Sequence, residues 1–212
     1  MNNTKHKKIG RPLKFDKNEA LAAAINVFWS KGYEGSSIKD LTTAMGINAP
    51  SLYATYGDKH QLYLQAIDSY TSNDDCGPLV AFESENNINK AVQFFFESAL
   101  QYATTNENGI QGCFLSSCVS TSAGTVDGTQ SRLKQAIKET DLRLAARFES
   151  EKKKGNLPDT FPSLKRAQLM FDLRQGYVLR ARAGISIGEM NEDFADKAEM
   201  ILSYDRTTVG MN

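Results

Sequence analysis

A glycine, Gly46, separates two short helical patterns, and no other feature restricts the fold of this chain as strongly. The first pattern begins at Ser37, with Asp40 three residues later in the arrangement of a capping box. The second pattern begins after Asn48, whose side-chain oxygen can accept a hydrogen bond from a free N–H group, and has Pro50 in its first turn. Helices this short are not stable alone, so they must pack against each other and against neighbours.

These two helices, over residues 37–45 and 49–55, have the dimensions of a helix-turn-helix. We expect Leu41 and Met45 of the first helix to bury Leu52 of the second, which leaves the opposite side of the second helix exposed. In this motif the N-terminal residues of the second helix reach base edges in the major groove of DNA. The predicted DNA-binding residues on and around the two helices are Ser37, Asn48, Ala49, Pro50, Ser51 and Thr55.

Two further residues are predicted to contact the DNA backbone. The hydroxyl of Tyr53 can donate to a phosphate oxygen, and Lys59 adds a positive charge at the start of the next helix. The alternative for Tyr53 is an ordinary surface tyrosine on an amphipathic helix. Pro50 can touch a thymine methyl group but cannot hydrogen-bond a base, so Ser51 and Thr55 are the predicted readers of sequence.

The first 14 residues form a basic arm on a chain with no net charge. The whole chain has 25 lysines and arginines and 25 acids, yet the arm carries five positive charges before the first acid. Such an arm favours a polyanionic partner. Arg11, between Gly10 and Pro12, is predicted to enter a narrow minor groove. The alternatives are non-specific attraction to phosphates and disorder.

The rest of the chain predicts an all-α fold in two domains, residues 15–72 and 73–212. Gly32 is expected to end the first helix, and Cys76-Gly77-Pro78 is expected to interrupt the helical pattern at the boundary. Further helices are predicted near residues 88–105, 112–122, 128–154, 163–187 and 191–204.

Several classes of function are disfavoured by composition. No apolar run is long enough for a transmembrane span and no signal peptide pattern is visible, so a cytoplasmic location is expected. Three cysteines and two distant histidines indicate neither a disulfide framework nor a metal site, and no cofactor is expected. An enzyme with Cys113 as nucleophile would lack a base, because His6 lies in the arm and His60 in the first domain.

Residues 16–67 resemble the N-terminal domain of TetR/AcrR-family transcriptional regulators without a gap. The matching residues are Ala24 to Phe28, Lys31-Gly32-Tyr33, Ser36-Ser37-Ile38, Asp40-Leu41, Met45-Gly46-Ile47, Ser51-Leu52-Tyr53, Tyr56, Gly57-Asp58-Lys59 and Leu62. The resemblance implies a dimeric, non-enzymatic repressor that leaves double-stranded DNA when a small molecule fills the second domain. By position, it also implies that Tyr53 and Lys59 contact phosphates. The chain departs from the family at His60, where glutamate is common, at Pro50, and at Thr55, where histidine is common.

The second domain is expected to provide the dimer interface and the effector cavity. Residues 168–187 and 190–202 resemble the last two family helices, which usually form the dimer; filling of the internal core is the alternative. The candidate ligand-binding residues are Phe95, Leu100, Cys113, Phe114, Phe148, Met170, Arg174 and Tyr177. Aromatic residues at helical spacing also suit an ordinary core, and Arg174 suits either an anionic effector or an interface salt bridge.

Cys113 leaves a further alternative open. The run Gly112-Cys113-Phe114-Leu115 is similar to that of a family subgroup with a glycine-cysteine pair at this helix start. A cysteine at a helix N-terminus can have a lowered pKa and react with oxidants or electrophiles. The alternatives to a ligand-responsive repressor are therefore a regulator that senses such compounds through Cys113 and a helical ligand-binding module without DNA binding.

Overall fold

The computed structural model describes residues 15–72, 76–105, 109–190 and 193–203, and within these ranges the chain is helical, without strands. The predicted basic arm, including Arg11, lies outside the described residues. The helices are α1 (Lys17–Gly35), α2 (Ile38–Ala44), α3 (Ala49–Tyr56), α4 (Lys59–Thr71), α5 (Gly77–Ser84), α6 (Ile88–Thr104), a π-helical turn (Leu115–Val119), α7 (Ser120–Ser122), α8 (Thr129–Lys153), α9 (Ser163–Arg182), α10 (Ile187–Met190) and α11 (Phe194–Leu202). The prediction of an all-α fold is confirmed.

Helix α1 begins where its capping residue predicts, and its helical geometry breaks at Gly32, where the sequence predicts the end of the helix. The side chain of Asp16 accepts hydrogen bonds from the backbone N–H groups of Asn18 and Glu19, at 2.7 and 3.1 Å. Gly32 has a φ of 74°, which breaks the helical geometry, and the helix bounds continue past it to Gly35. The positive φ explains why a glycine occupies this position.

The first four helices share a core that is rich in aromatic residues. Phe28 and Tyr63 are fully buried with ring centroids 4.8 Å apart, and the Tyr33 ring packs against Tyr63 at a tilt, with centroids 4.9 Å apart. This core continues into the second half of the chain, because Phe114 and Val119 are buried in the same cluster. The domain boundary between residues 72 and 73 therefore stays a prediction. Buried residues from both sides of it pack in the same hydrophobic cluster.

Helix α5 was not predicted. The sequence Cys76-Gly77-Pro78 was expected to interrupt the pattern, whereas a helix begins at Gly77 with proline in its first turn. Proline is tolerated there because the first N–H groups of a helix have no partner within the helix. Phe82 of this helix is fully buried, so packing against α6 stabilises a segment whose local signals indicate a break.

A second core joins α5, α6, α8, α9 and α11. Its aromatic residues meet edge to face, with Phe82 lying 6.1 Å from Phe95 and 5.4 Å from Phe148 between ring centroids. Helix α9 ends at Arg182, earlier than predicted, and Gly184 with a φ of 82° follows. No helix of the described residues is long and apolar enough to cross a bilayer.

Gly112 has both a conformational and a steric reason to be glycine. Its φ is 94°, and a Cβ atom at this position would lie 2.6 Å from Oγ of Ser117 and 3.0 Å from side-chain carbons of Arg182. Only a residue without a side chain fits this turn. The turn places Cys113 at the start of the helical segment that contains the π-helical turn.

Candidate nucleic-acid interface and effector cavity

Reciprocal hydrogen bonds fix the start of α2. Ser37 Oγ accepts from the backbone N–H of Asp40 at 3.1 Å, and the Asp40 carboxylate accepts from the backbone N–H of Ser37 at 3.0 Å. The Ser37 hydroxyl also donates to the same carboxylate at 2.7 Å. Both predicted partners of the capping box are therefore used, and the exposed hydroxyl of Ser37 is already engaged in the cap.

The turn and the start of α3 follow the local sequence signals. Gly46 has a φ of 64°, which suits the end of a helix that must turn sharply. The side chain of Asn48 then accepts from the backbone N–H of Ser51 at 2.9 Å, and Pro50 lies in the first turn of α3. Local geometry thus sets the angle at which α3 leaves α2.

Packing decides which side of α3 faces solvent. Leu52 and Tyr56 are buried, and they meet the first core together with Leu41 and Met45. The hydroxyl of Tyr56 donates to the backbone carbonyl of Lys17 at 2.9 Å, which ties the end of α3 to the start of α1. The other side of α3 is consequently available to a partner.

The predicted DNA-binding residues are accessible to different degrees. Tyr53 is 51% exposed, Asn48 and Pro50 are exposed, and the remaining three on α3 are half-buried. Those three are Ala49, Ser51 and Thr55. All of them lie on α3 or at its N-cap, so the structure brings this group together on one element.

Lys59, at the first position of α4, is positioned by an aromatic ring. Its Nζ atom lies 4.4 Å from the centroid of the Tyr33 ring, within the range of a cation–π contact. Asp58 caps the same helix by accepting from the backbone N–H of Gln61 at 2.7 Å. Sequence reasoning identified Lys59 but missed the role of Tyr33, because the contact joins residues from different helices.

Asp40 of α2 forms an ion pair with a lysine of α1. Lys31 Nζ donates to the Asp40 carboxylate at 2.7 Å. This hydrogen bond, together with those from the backbone and hydroxyl of Ser37, lowers the pKa of Asp40 well below its ordinary value. Asp40 therefore stays ionised while its charge is paired with Lys31.

A cavity of about 670 Å³ lies where the first four helices meet the second core. Its wall includes residues of α1, α4, α5, α6, α8 and α9 and of the segment after Gly112. Tyr70, near the end of α4, lines the cavity, so the helix that begins at Lys59 ends at the cavity. A molecule in this space would contact both halves of the chain.

One corner of the cavity is polar. The hydroxyls of Tyr70 and Tyr102 are hydrogen-bonded at 2.8 Å, and the Tyr70 hydroxyl lies 3.6 Å from the sulfur of Cys113. Burial raises the pKa of both tyrosines, which therefore keep their hydroxyl hydrogens. Arg174 of α9 faces the same cysteine and forms a hydrogen bond with it.

The charge of Arg174 changes the acidity of Cys113. Burial alone would raise the pKa of the Cys113 thiol, but Arg174, the backbone N–H of Ser116 and the Tyr70 hydroxyl together lower it. Burial alone would lower the pKa of Arg174, whereas the facing sulfur atoms of Cys113 and Cys76 raise it. This corner of the cavity thus favours a negative charge.

The predicted ligand-binding residues divide into two groups. Phe95, Cys113 and Arg174 line the cavity. The other five are buried in the hydrophobic cores away from its wall: Leu100, Phe114, Phe148, Met170 and Tyr177. Their helical spacing could not separate core from cavity, since both demand apolar residues on an inward face.

Sequence reasoning missed most of the polar residues of the cavity wall, among them Tyr70, Cys76 and Arg143. Tyr70 lies three residues after the buried Ile67, so helical periodicity could have placed it on the inward side of α4. Neither of the others carries a comparable local signal. Within the described ranges, no group of three or more His, Cys, Asp or Glu side chains could hold a metal ion.

Comparisons with known proteins agree with this architecture. The sequence profile described as "Bacterial regulatory proteins, tetR family" matches residues 20–66. The HTH-type transcriptional repressor ComR of Escherichia coli is 28% identical over 185 residues, which cover 85% of this chain and 86% of ComR. The uncharacterized HTH-type transcriptional regulator YezE of Bacillus subtilis is 33% identical over 107 residues, 50% of this chain and 55% of YezE.

A solved structure of a cysteine mutant of the TetR-family regulator CifR, in complex with a 26-base-pair operator duplex, shares the fold. Its TM-score is 0.77 at 23% identity, and the match covers 91% of this chain and 98% of CifR. The capped reading helix and the helical second half define a helix-turn-helix transcriptional regulator. Residues 20–66 match the TetR family, and over most of its length the chain is similar to regulators of that family, which are DNA-binding proteins and not enzymes.

Proposed function

We propose that this protein is a homodimeric repressor that binds a two-fold symmetric operator through α3 and leaves it when a small molecule fills the cavity. The observation that carries the proposal is the side-chain distribution on α3, where Leu52 and Tyr56 are buried while Tyr53 is 51% exposed. ComR is similar over most of both chains and is named a repressor, which supports repression over activation. A regulator of chromosomal operators acts in the cytoplasm.

The residues around α3 are assigned two kinds of role. Tyr53 and Lys59 contact phosphates and set the position of the helix on the duplex. Ser51 and Thr55 read base edges, and Pro50 touches a thymine methyl. Asn48 and Ala49 approach the groove from the N-terminal end of α3, and Ser37 contacts the backbone from α2. Arg11 of the arm enters the neighbouring minor groove.

Dimerisation is proposed to use α9 and α11. Leu179 of α9 is 73% exposed, and Met200 of α11 is half exposed to solvent. A Cβ atom at Gly176 of α9 would meet nothing within 4 Å, so a second helix can approach closely there. A two-fold pairing would give two copies of α3, which must lie about 34–36 Å apart to use successive major grooves.

Helix α4 is the proposed connection between the cavity and DNA. It runs from Lys59 to the cavity wall at Tyr70. Arg132 of α8 holds it in a bidentate pair with Asp68, at 2.6 and 3.0 Å. His60 bonds the backbone carbonyl of Asp127 at 2.8 Å, which gives a structural use to a residue that departs from the family pattern. A ligand can shift the equilibrium only by binding the released geometry more tightly.

The proposal is tested by titrating the protein with duplex DNA taken from beside its own gene and with an unrelated duplex, at several salt concentrations. Lys59→Ala should weaken binding to both duplexes and lower the salt dependence by about one phosphate contact, and Tyr53→Phe should also weaken both. Ser51→Ala or Thr55→Ala should instead change the preference between duplexes. The control is Lys138→Ala, which removes an exposed lysine of α8 far from α3.

Failure of the wild-type protein to bind any duplex at low salt would overturn the proposal and favour a ligand-binding module without DNA binding. Equal effects of the phosphate and base variants would overturn the assigned roles. Because the pKa of Cys113 is lowered, modification of this thiol is a second candidate trigger. If an oxidant or a thiol-alkylating agent releases Cys113→Ser from DNA as fully as the wild type, that second trigger is excluded.

A further inference from the structure

Arg174 is a cation in the cavity wall, and the groups that face it are not carboxylates. Its neighbours are the sulfur atoms of Cys113 and Cys76 and the hydroxyl of Tyr70. No ion pair with an aspartate or glutamate joins it in the part of the chain that the structure describes. A charged side chain held away from bulk water without a carboxylate partner is costly, and a ligand of opposite charge would remove that cost.

Arg143 of the same wall shows the contrast. Its guanidinium donates to both carboxylate oxygens of Glu83, at 2.5 and 2.7 Å. The cavity therefore contains one arginine whose charge a carboxylate already balances and another whose charge none of the described carboxylates balances. An anion that enters the cavity would select the second.

The hydroxyls beside Arg174 suit the oxygens of a carboxylate. Tyr70 and Tyr102 bond each other, so one hydroxyl hydrogen is used within the pair and the other can be directed to a ligand. A guanidinium can hold a carboxylate through two parallel N–H groups. The lowered pKa of Cys113 reports the same electrostatic preference, and a carboxylate is ionised at neutral pH without any shift.

Part of the remaining wall is apolar and would bury a hydrocarbon body, beside polar residues that include Glu139, Thr140 and Gln175. Leu79, Phe95, Leu115, Ile137 and Phe171 all line the cavity. A volume of about 670 Å³ is within the range of pockets that enclose drug-sized molecules. The corner and the wall together demand a molecule with one anionic end and one apolar end.

We infer that the effector is an amphipathic monocarboxylic acid whose carboxylate pairs with Arg174 and accepts a hydrogen bond from the Tyr70–Tyr102 pair. Its chain or ring lies among the apolar residues of the wall and takes over the balancing of the Arg174 charge from Cys113. The binding step follows from the cavity alone. Its consequence, release from DNA, rests on the proposed function.

The chain carries its own reporter for this binding. Trp29 is the single tryptophan of the sequence, and its ring lies 6.1 Å from that of Tyr70 between centroids. We therefore suggest titrating the purified full-length protein, free of DNA, with octanoate and phenylacetate and following tryptophan fluorescence, with calorimetry as the second measurement. Octanamide and phenylacetamide are the neutral controls.

The carboxylates should bind about 10- to 100-fold more tightly than their amides, and Arg174→Gln should remove that advantage. Arg180→Gln is the matched control, because it removes an exposed guanidinium from the same helix. Tyr102→Phe should weaken carboxylate binding and leave amide binding unchanged, and it serves as the second variant if circular dichroism shows that Arg174→Gln is unfolded. Cys113→Ser should bind the carboxylates at least as tightly as the wild type.

Equal affinity for acid and amide, or carboxylate binding unchanged in both Arg174→Gln and Tyr102→Phe, would overturn the inference. A difference between octanoate and phenylacetate identifies the shape of the apolar end and supports it. Operator binding is then measured with and without the tighter acid. If that acid binds through Arg174 but operator affinity is unchanged, the inference stands and the proposed release mechanism fails.

Discussion

Asp40 is a half-buried residue of the motif that takes part in three separate contacts. Its carboxylate caps α2, bonds the Ser37 hydroxyl and pairs with Lys31 of α1. The contact with Lys31 joins α1 to α2. The residue therefore links the geometry of the reading motif to the helix that precedes it.

We predict that Asp40→Asn lowers the free energy of unfolding at neutral pH and that this deficit shrinks as the pH falls below about 4. The pKa of Asp40 is lowered in the folded protein, so its stabilisation is complete above the unfolded pKa of about 4 and is lost as the pH falls through the lower folded pKa. Urea unfolding at about pH 7 and about pH 3 measures the difference. An equal deficit at both values would contradict it, and Asp159→Asn, at an exposed position, is the control.

At the scale of elements, α3 depends on one cap that also lies at the proposed DNA surface. The Asn48 side chain accepts from the backbone N–H of Ser51, and without it the first turn of a short helix would lose its cap. Replacing Asn48 by alanine would therefore change stability and DNA binding at the same time. The loss of the cap alone would cost about 1 kcal/mol of stability.

We predict that Asn48→Asp keeps the stability of the protein and weakens its binding to every duplex. Aspartate caps helices as well as asparagine does, but its charge repels phosphates. The matched control is Asn87→Asp, because Asn87 caps α6 by accepting from the backbone N–H of Lys90 at 3.0 Å. Thermal unfolding and DNA titration of both variants test this, and undiminished DNA binding by Asn48→Asp would place the cap outside the interface.

At the scale of the whole molecule, the proposed operator binding uses two copies of the chain. A single α3 of eight residues offers few base contacts, and two half-sites multiply the affinity. In the proposed dimer, a ligand in the cavity would act on DNA binding through α4, since a small rotation of each α4 would change the distance between the two copies of α3.

We predict that Leu179→Glu yields a monomer that binds operator DNA much more weakly than the wild type. The side chain is 73% exposed on α9, and a buried charge at the proposed interface would oppose association. Phe94→Glu, on α6 and 41% exposed, is the control and should remain dimeric. Light scattering after gel filtration measures the mass, and a dimeric Leu179→Glu would require a different interface.

Predictions from the sequence were most accurate where the signals are local. The start of α3 after Asn48, the bend at Gly46 and the cap of α4 at Asp58 all follow from hydrogen bonds within four residues. Helix α5 shows the opposite case. Its glycine and proline indicate a break, and only the burial of Phe82 against distant helices explains why it is helical.

By itself, the sequence determined the helical class and the helix-turn-helix motif, because capping, periodicity and turn chemistry are encoded over a few residues. The tertiary structure alone decided which apolar residues form the cavity and which fill the cores. It also brought Tyr70, Tyr102, Cys113 and Arg174 into one corner. These residues lie far apart along the chain, and their contacts depend on the packing of several helices, which no local pattern specifies.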